Sequence, residues 1–173
     1  MLNRGVEKVA SDPWKVLIAT MLLNKTAGRT AIPIFWKILD RWPSPQALSN
    51  ADVTELTHMI KTLGLQSMRA KRLIQLSEMY LAAPPDPSIL HKSRNYPVAT
   101  PVSHLPGSGR YALDSYRIFC NPGIDWMNVM PTDKELIKYI RWKWATVGRR
   151  WDPDRGPWGY ADLEYWATIG LVL

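Results

Sequence analysis

The stretch DPWKVLIATMLL, residues 12–23, constrains the fold more than any other part of the chain. Asp12 followed by Pro13 reads as a helix cap and first turn, and from Trp14 onward Lys15 is the only charge. A helix that is apolar on nearly all sides has no face to give to water, so other elements must surround it. With 173 residues the chain can do this as one domain, or as one domain built from two lobes.

The surrounding elements also read as helices. After a break at NKTAGR, the residues Ala31, Ile34, Phe35, Ile38, Leu39 and Trp42 recur at spacings of three and four, with Pro33 expected in the opening turn of that helix. WPSPQALSN reads as a loop. It precedes a stripe of Val53, Leu56, Ile60 and Leu63 that Gly64 terminates. A further helix begins at Ser67 and carries Leu73, Ile74, Leu76 and Tyr80, whereas the proline-rich residues 83–104 form a connector. The helical pattern resumes at Ala112. Thr132 and Glu135 have capping-box spacing, which predicts a helix starting near Asp133 that buries Leu136, Ile137, Ile140 and Trp144. No strand pair and no solenoid repeat is legible, so the expected class is all-α. From Asp152 the character changes, and three readings stand open: a separate tail, a docked extension or a misread gene end. The expected division is a domain over residues 1–151 and a C-terminal extension over 152–173.

Charge and cysteine content narrow the function. The formal charge of +7 makes a polyanion such as nucleic acid, or an anionic membrane surface, the natural partner. The single cysteine, Cys120, excludes an intramolecular disulfide framework and an all-cysteine metal or iron–sulfur site within the chain. A reducing, intracellular compartment is expected. No apolar run reaches the roughly 18 residues of a membrane span, and the first residues lack a signal peptide's apolar core. His58, His91 and His104 have no zinc-ligand spacing, so no metal is expected.

The segment HLPGSGRYALDSYRIFC, residues 104–120, sets a glycine turn directly against a helical pattern. Gly107 and Gly109 permit backbone angles that other residues resist, so the turn can present amide N–H groups to an anion. Such a turn between two helices is the helix–hairpin–helix device, which holds a DNA phosphate. Taken alone, the same letters describe only a tight turn.

Two more stretches supply context. KTLGLQSMRAKRL upstream and PTDKEL downstream occur with LPGSGRYA in the order found in the helix–hairpin–helix (HhH-GPD) base-excision DNA glycosylases. The chain resembles that superfamily from about Asp12 to Trp151. Within it, DPWKVLIATMLLNKTAGRTAIPIFWKIL and DSYRIFC look most like the glycosylase domains of the methyl-CpG-binding domain protein 4 family, which remove thymine or uracil mispaired with guanine. The resemblance implies a two-lobed, all-α glycosylase fold and a set of roles. Asp133 matches the aspartate that assists departure of the base. Tyr111 stands where bifunctional members carry a lysine, which implies a monofunctional enzyme. Leu65 matches the wedge that fills the gap left by a flipped base, with Gln66 beside it. Lys25, followed by Thr26, stands where relatives place an arginine that reaches the flipped nucleotide's phosphates. Gly107 and Gly109 match the phosphate-binding hairpin, with Arg110 as a nearby charge, and Arg69 and Lys71 follow the wedge as DNA contacts.

Each of these residues also has a plainer reading: Asp133 a helix-dipole partner, Leu65 an apolar contact after a helix stop, the basic residues a solvated face. The chemistry itself sets a physical demand. Breaking a base–sugar bond builds positive charge on the sugar, which a fixed carboxylate stabilises. The implied substrate is double-stranded DNA with a mismatched or damaged base, handled by a monomer without cofactor, in the nucleus. The alternatives are a catalytically silent DNA-binding module and a glycosylase for another damaged base.

Overall fold

The computed structural model describes residues 9–170; the outer ends of the two expected domains, residues 1–8 and 171–173, lie outside them. Helix α1, Pro13–Leu23, is buried at Trp14, at Leu22 and along the unbroken run Val16 to Thr20, as its all-round apolarity requires. The Asp12 carboxylate caps it by accepting from the Lys15 amide. Around α1 pack α2 (Gly28–Arg41), α5 (Gln66–Ala82) and α6 (Arg110–Phe119). The indole N–H of Trp14 donates to the Ser77 hydroxyl at 3.0 Å, which pins α1 to α5 inside the core.

Several boundaries differ from the sequence reading. Helix α2 begins at Gly28, so Pro33 lies inside it rather than in its opening turn. The ring is exposed, on a side where water can reach the carbonyl that proline cannot bond. The expected loop after Trp42 contains a short helix, α3 (Pro45–Ser49), which Ser44 caps through the Ala47 amide. Helix α4 (Val53–Met59) and a 3₁₀ turn at Lys61–Leu63 carry the expected stripe, with Leu56, Ile60 and Leu63 buried but Val53 exposed. Gly64, at φ 71°, ends it as expected, and α5 starts one residue before Ser67.

A second core lies C-terminal to the first. Helix α7, Lys134–Thr146, buries Leu136, Ile140 and Trp144 against Ile118, Trp126, Val129 and Trp151. The predicted capping box does not form. Asp133 itself is the cap, its Oδ1 accepting from the Glu135 and Leu136 amides at 2.9 and 3.1 Å. The segment read as lacking strand pairs holds an antiparallel hairpin, β1 (Arg149–Asp152) with β2 (Gly156–Tyr160). Its arms gave no alternating signal because only Trp151 and Gly156 are buried. Helix α8, Leu163–Thr168, follows, and the Tyr165 hydroxyl bonds both the amide and the carbonyl of Trp151. The tail is therefore docked on the second core as far as it is described.

The fold is thus mostly helical, with eight α-helices and one small sheet among the described residues. Helix α6 joins the two cores: Ala112, Leu113 and Tyr116 belong to the first, Ile118 to the second.

Candidate active site

A cavity of about 400 Å³ opens where the C-terminal end of α1, the N-terminal end of α5 and the N-terminal end of α6 meet. Its wall includes Lys25, Leu65, Arg69, Gly107, Gly109, Arg110 and Tyr111, seven of the residues selected from sequence. Thr26, Gln66, Lys71 and Asp133 are not part of that wall. Lys71 is exposed on α5, and Gln66 is half-buried at its start.

Two side chains enter the site from strained backbone. Lys25 and Leu65 have φ values of 57° and 50°, the left-handed region that residues with a Cβ avoid. Leu65 is also 67% exposed. An apolar side chain held in water by an unfavourable backbone conformation gains nothing for the fold, and such strain gathers at functional positions. Lys25 is exposed as well and has no hydrogen bond or ion pair among the described residues.

Arg69 behaves differently from the surface contact expected of it. Its guanidinium donates to the carbonyls of Met21, Leu22 and Asn24 at 3.2, 2.8 and 2.9 Å, and to the Thr26 hydroxyl at 3.1 Å. These carbonyls lie at and just beyond the end of α1, where helical partners run out. Burial lowers the Arg69 pKa. Arg69 and Thr26 therefore hold two walls of the cavity together, and their polar groups are committed to that task.

The glycine turn is only partly as expected. Gly107, at φ 83°, does use a left-handed conformation, and a Cβ there would also lie 2.7 Å from the Met21 methyl. Gly109, at φ −80°, is ordinary extended backbone facing open space. Two turn amides are consumed internally, Ser108 bonding Leu105 and Gly109 bonding Gly107. The backbone ladder of α6 begins with the Leu113 amide bonding the Gly109 carbonyl, and among the described residues no side chain caps the helix.

Asp133 is not part of the cavity's wall. Its Oδ1 takes both capping bonds, and Oδ2 has no hydrogen bond or ion pair among the described residues. The link between them is Arg110, whose Nη2 donates to the Met130 carbonyl at 3.0 Å, three residues before Asp133. Sequence reading missed Thr20, Met21, Asn24 and Met68, which also line the cavity. Thr20 and Asn24 were detectable as polar residues four apart, at the end of a largely apolar run.

Among the described residues no three His, Cys, Asp or Glu side chains gather to hold a metal ion. No helix there is long and apolar enough to cross a membrane. Burial pushes the Cys120 thiol up to about 12, well above the range in which it would ionise.

Known proteins place this arrangement. A methyl-CpG-binding domain protein 4-like protein of Arabidopsis thaliana is 35% identical over 128 residues, 74% of this chain and 25% of that protein. A thymine/uracil-DNA glycosylase of Pyrobaculum aerophilum is 44% identical over 69 residues, 40% of this chain and 30% of that protein. The solved structure of a thermostable thymine-DNA glycosylase superposes with a TM-score of 0.52 at 21% identity, covering 64% of this chain and 48% of the other. The chain thus spans well under half the length of these curated relatives. The pattern of the HhH-GPD superfamily base excision DNA repair proteins matches residues 18–152, from within α1 to the end of β1, and so takes in Leu65, the glycine turn and Asp133 together. The elements that build the cavity are those the family pattern spans, and the chain belongs to the HhH-GPD superfamily.

Proposed function

We propose that the protein is a monofunctional DNA glycosylase that releases thymine or uracil paired with guanine. The observation that supports this most directly is the single cavity in which Lys25, Leu65, the hairpin glycines and Tyr111 converge, together with the uncommitted oxygen of Asp133. Double-stranded DNA seats its phosphates on the first turn of α6 and on Lys25, with Leu65 filling the space left by the extruded nucleotide. A mismatch lowers the cost of extrusion, which otherwise amounts to a few kcal/mol.

The C1′–N bond breaks with its electron pair leaving on the base, and the Asp133 carboxylate stabilises the positive charge on the sugar. Water then adds to C1′ and loses its proton to Asp133, while the departing base takes up a proton. The products are a free base and an abasic site. Tyr111, in place of an amine, offers no route to a Schiff base and strand cleavage. Lys25 keeps a positive charge but lacks the two-pronged planar contact of arginine, so its grip on phosphate is looser. Action in the nucleus follows only from the substrate.

End-labelled duplexes carrying G:T, G:U or A:T at one position test the reading, with half of each reaction treated with hot alkali. Breaks that need alkali and occur only at G:T or G:U are expected. Breaks without alkali would overturn the monofunctional assignment. A second reading, a DNA-binding module without chemistry, draws on the position of Asp133 outside the cavity wall. It requires salt-sensitive duplex binding with no abasic product.

A further inference from the structure

Helix α6 carries a buried carboxylate that the proposed reaction does not use. The Asp114 side chain is 3% exposed. Its Oδ1 accepts from the Tyr96 hydroxyl at 2.7 Å, but Oδ2 is buried without a hydrogen bond among the described residues. The cation beside Oδ2 is Arg110, with Nε at 3.7 Å, one helical turn back. Burial raises the Asp114 pKa. The Tyr96 hydroxyl and the charges of Arg110 and Arg117 oppose that rise, while the carboxylate of Asp133 adds to it. A carboxylate oxygen kept dry and undonated is unfavourable for the fold.

What Asp114 holds is informative. Arg110 lies between it and the loop that leads into α7, and the far end of the Arg110 guanidinium donates to the Met130 carbonyl at 3.0 Å. Pro131, next in that loop, is buried, and Asp133 follows two residues later as the cap of α7. The connector contributes too, because Arg117 donates to the Tyr96 hydroxyl at 3.4 Å and so fixes the group that fixes Asp114.

We propose that Asp114 and Arg110 are positioning residues for Asp133. The Asp114 carboxylate, anchored by Tyr96, orients Arg110, and Arg110 holds the Met130 loop so that the Asp133 carboxylate stands at a set distance from Tyr111 and the hairpin. Arg110 thereby ties the helix that grips phosphate to the loop that carries the reacting carboxylate. Its outward charge, taken from sequence as a DNA contact, is secondary to this role. The inference rests on the reading of Asp133 as the group that assists base departure.

The test uses the full chain and whichever mismatched duplex it releases a base from fastest, under single-turnover conditions across a range of protein concentrations. Asp114→Asn and Arg110→Gln are expected to lower the maximal rate about ten- to a hundredfold while half-saturation stays within about twofold, as for a misplaced catalytic group. Tyr96→Phe, which removes one hydroxyl, is expected to lower the maximal rate by a smaller factor, and it bears the test in the same terms if either other variant fails to fold. Unchanged maximal rates in folded variants would overturn the proposal. So would a loss confined to half-saturation with a shallower salt dependence in Arg110→Gln, the signature of a phosphate contact. Absence of base release by the unaltered chain is a separate result: it defeats the glycosylase reading itself, and the positioning role with it.

Discussion

The core around α1 and the core around α7 are built from different material. The first is largely aliphatic and is assembled from α1 to α6, with Val16, Ile18, Leu22, Ile38, Leu48 and Leu73 fully enclosed. The second is smaller, three of its seven buried members are tryptophans, and a hairpin closes it. On the proposed reading they divide the labour. The first presents Lys25 and Leu65, the residues that hold and open the duplex, and the second holds the helix that starts at Asp133, the carboxylate that acts on the sugar. Helix α6 is common to both, so grip and chemistry meet along one element. Damage to one core should therefore be separable from damage to the other, in kind as well as in size.

The sharpest separation comes from Asp133→Asn. Base release is expected to fall at least about a thousandfold, with duplex affinity within about twofold, because a stabiliser of developing charge acts on the transition state alone; filter binding and single-turnover assays on one preparation check this. Next in size are Leu22→Ala and Trp151→Ala, each expected to cost about 3–5 kcal/mol. Urea unfolding followed by far-ultraviolet dichroism and by tryptophan fluorescence decides whether the cores form one cooperative unit. Coincident transitions in both variants mean that they do, and two resolved steps in Trp151→Ala mean that the second core unfolds alone.

A smaller contrast is set by pH. Arg117 and Asn121 hold the Asp125 carboxyl below its ordinary value by hydrogen bonding, whereas burial holds Asp114 above its own. For Asp125 the sign is that of a depressed acid: its contribution is present above the ordinary carboxylate range of about 4 and is lost as pH falls through the folded value. Asp114 has the opposite sign, opposing folding above its raised value and ceasing to do so as pH falls through it. Asp125→Asn is expected to lose about 2 kcal/mol at neutral pH and to flatten the acid limb. Unfolding midpoints between pH 3 and 7 read both effects. Smallest in stability is Leu65→Gly, expected to gain about 1 kcal/mol by removing a left-handed Cβ while slowing base release. A variant that gained stability and kept full rate would remove Leu65 from the wedge role.

How legible these regions were in the sequence follows from the same contrast. Helices α1, α2 and α5 each carry enough apolar residues at three and four spacing to be read directly, and the Asp12–Pro13 start was visible as a cap. The second core was harder. Trp126 lies on a 3₁₀ turn and Trp151 on a strand with one buried residue, so neither belongs to a period long enough to read. The hairpin's turn, DPDRG, was written in turn residues, but strands without alternation gave it nothing to join. At the site, the order of motifs identified the cavity's residues, but not which way each side chain is committed. Arg69 looks like any surface arginine until the end of α1 arrives beside it. Asp114 sits in a helical pattern as an unremarkable polar letter, and only the arrival of Tyr96 from the connector makes it a buried acid.

The guanidinium of Arg69 has one more consequence, for the order in which the molecule becomes competent. Its four bonds join positions separated by 43 to 48 residues along the chain. Neither segment contains the cleft by itself: a ribosome that has released the chain only as far as Met68 has made α1, Lys25 and Leu65, but nothing that sets them opposite one another. Contacts so distant in sequence close late because the intervening loop must be ordered first. The surface proposed to handle DNA is thus a product of long-range closure, assembled only after the helices that border it have found each other.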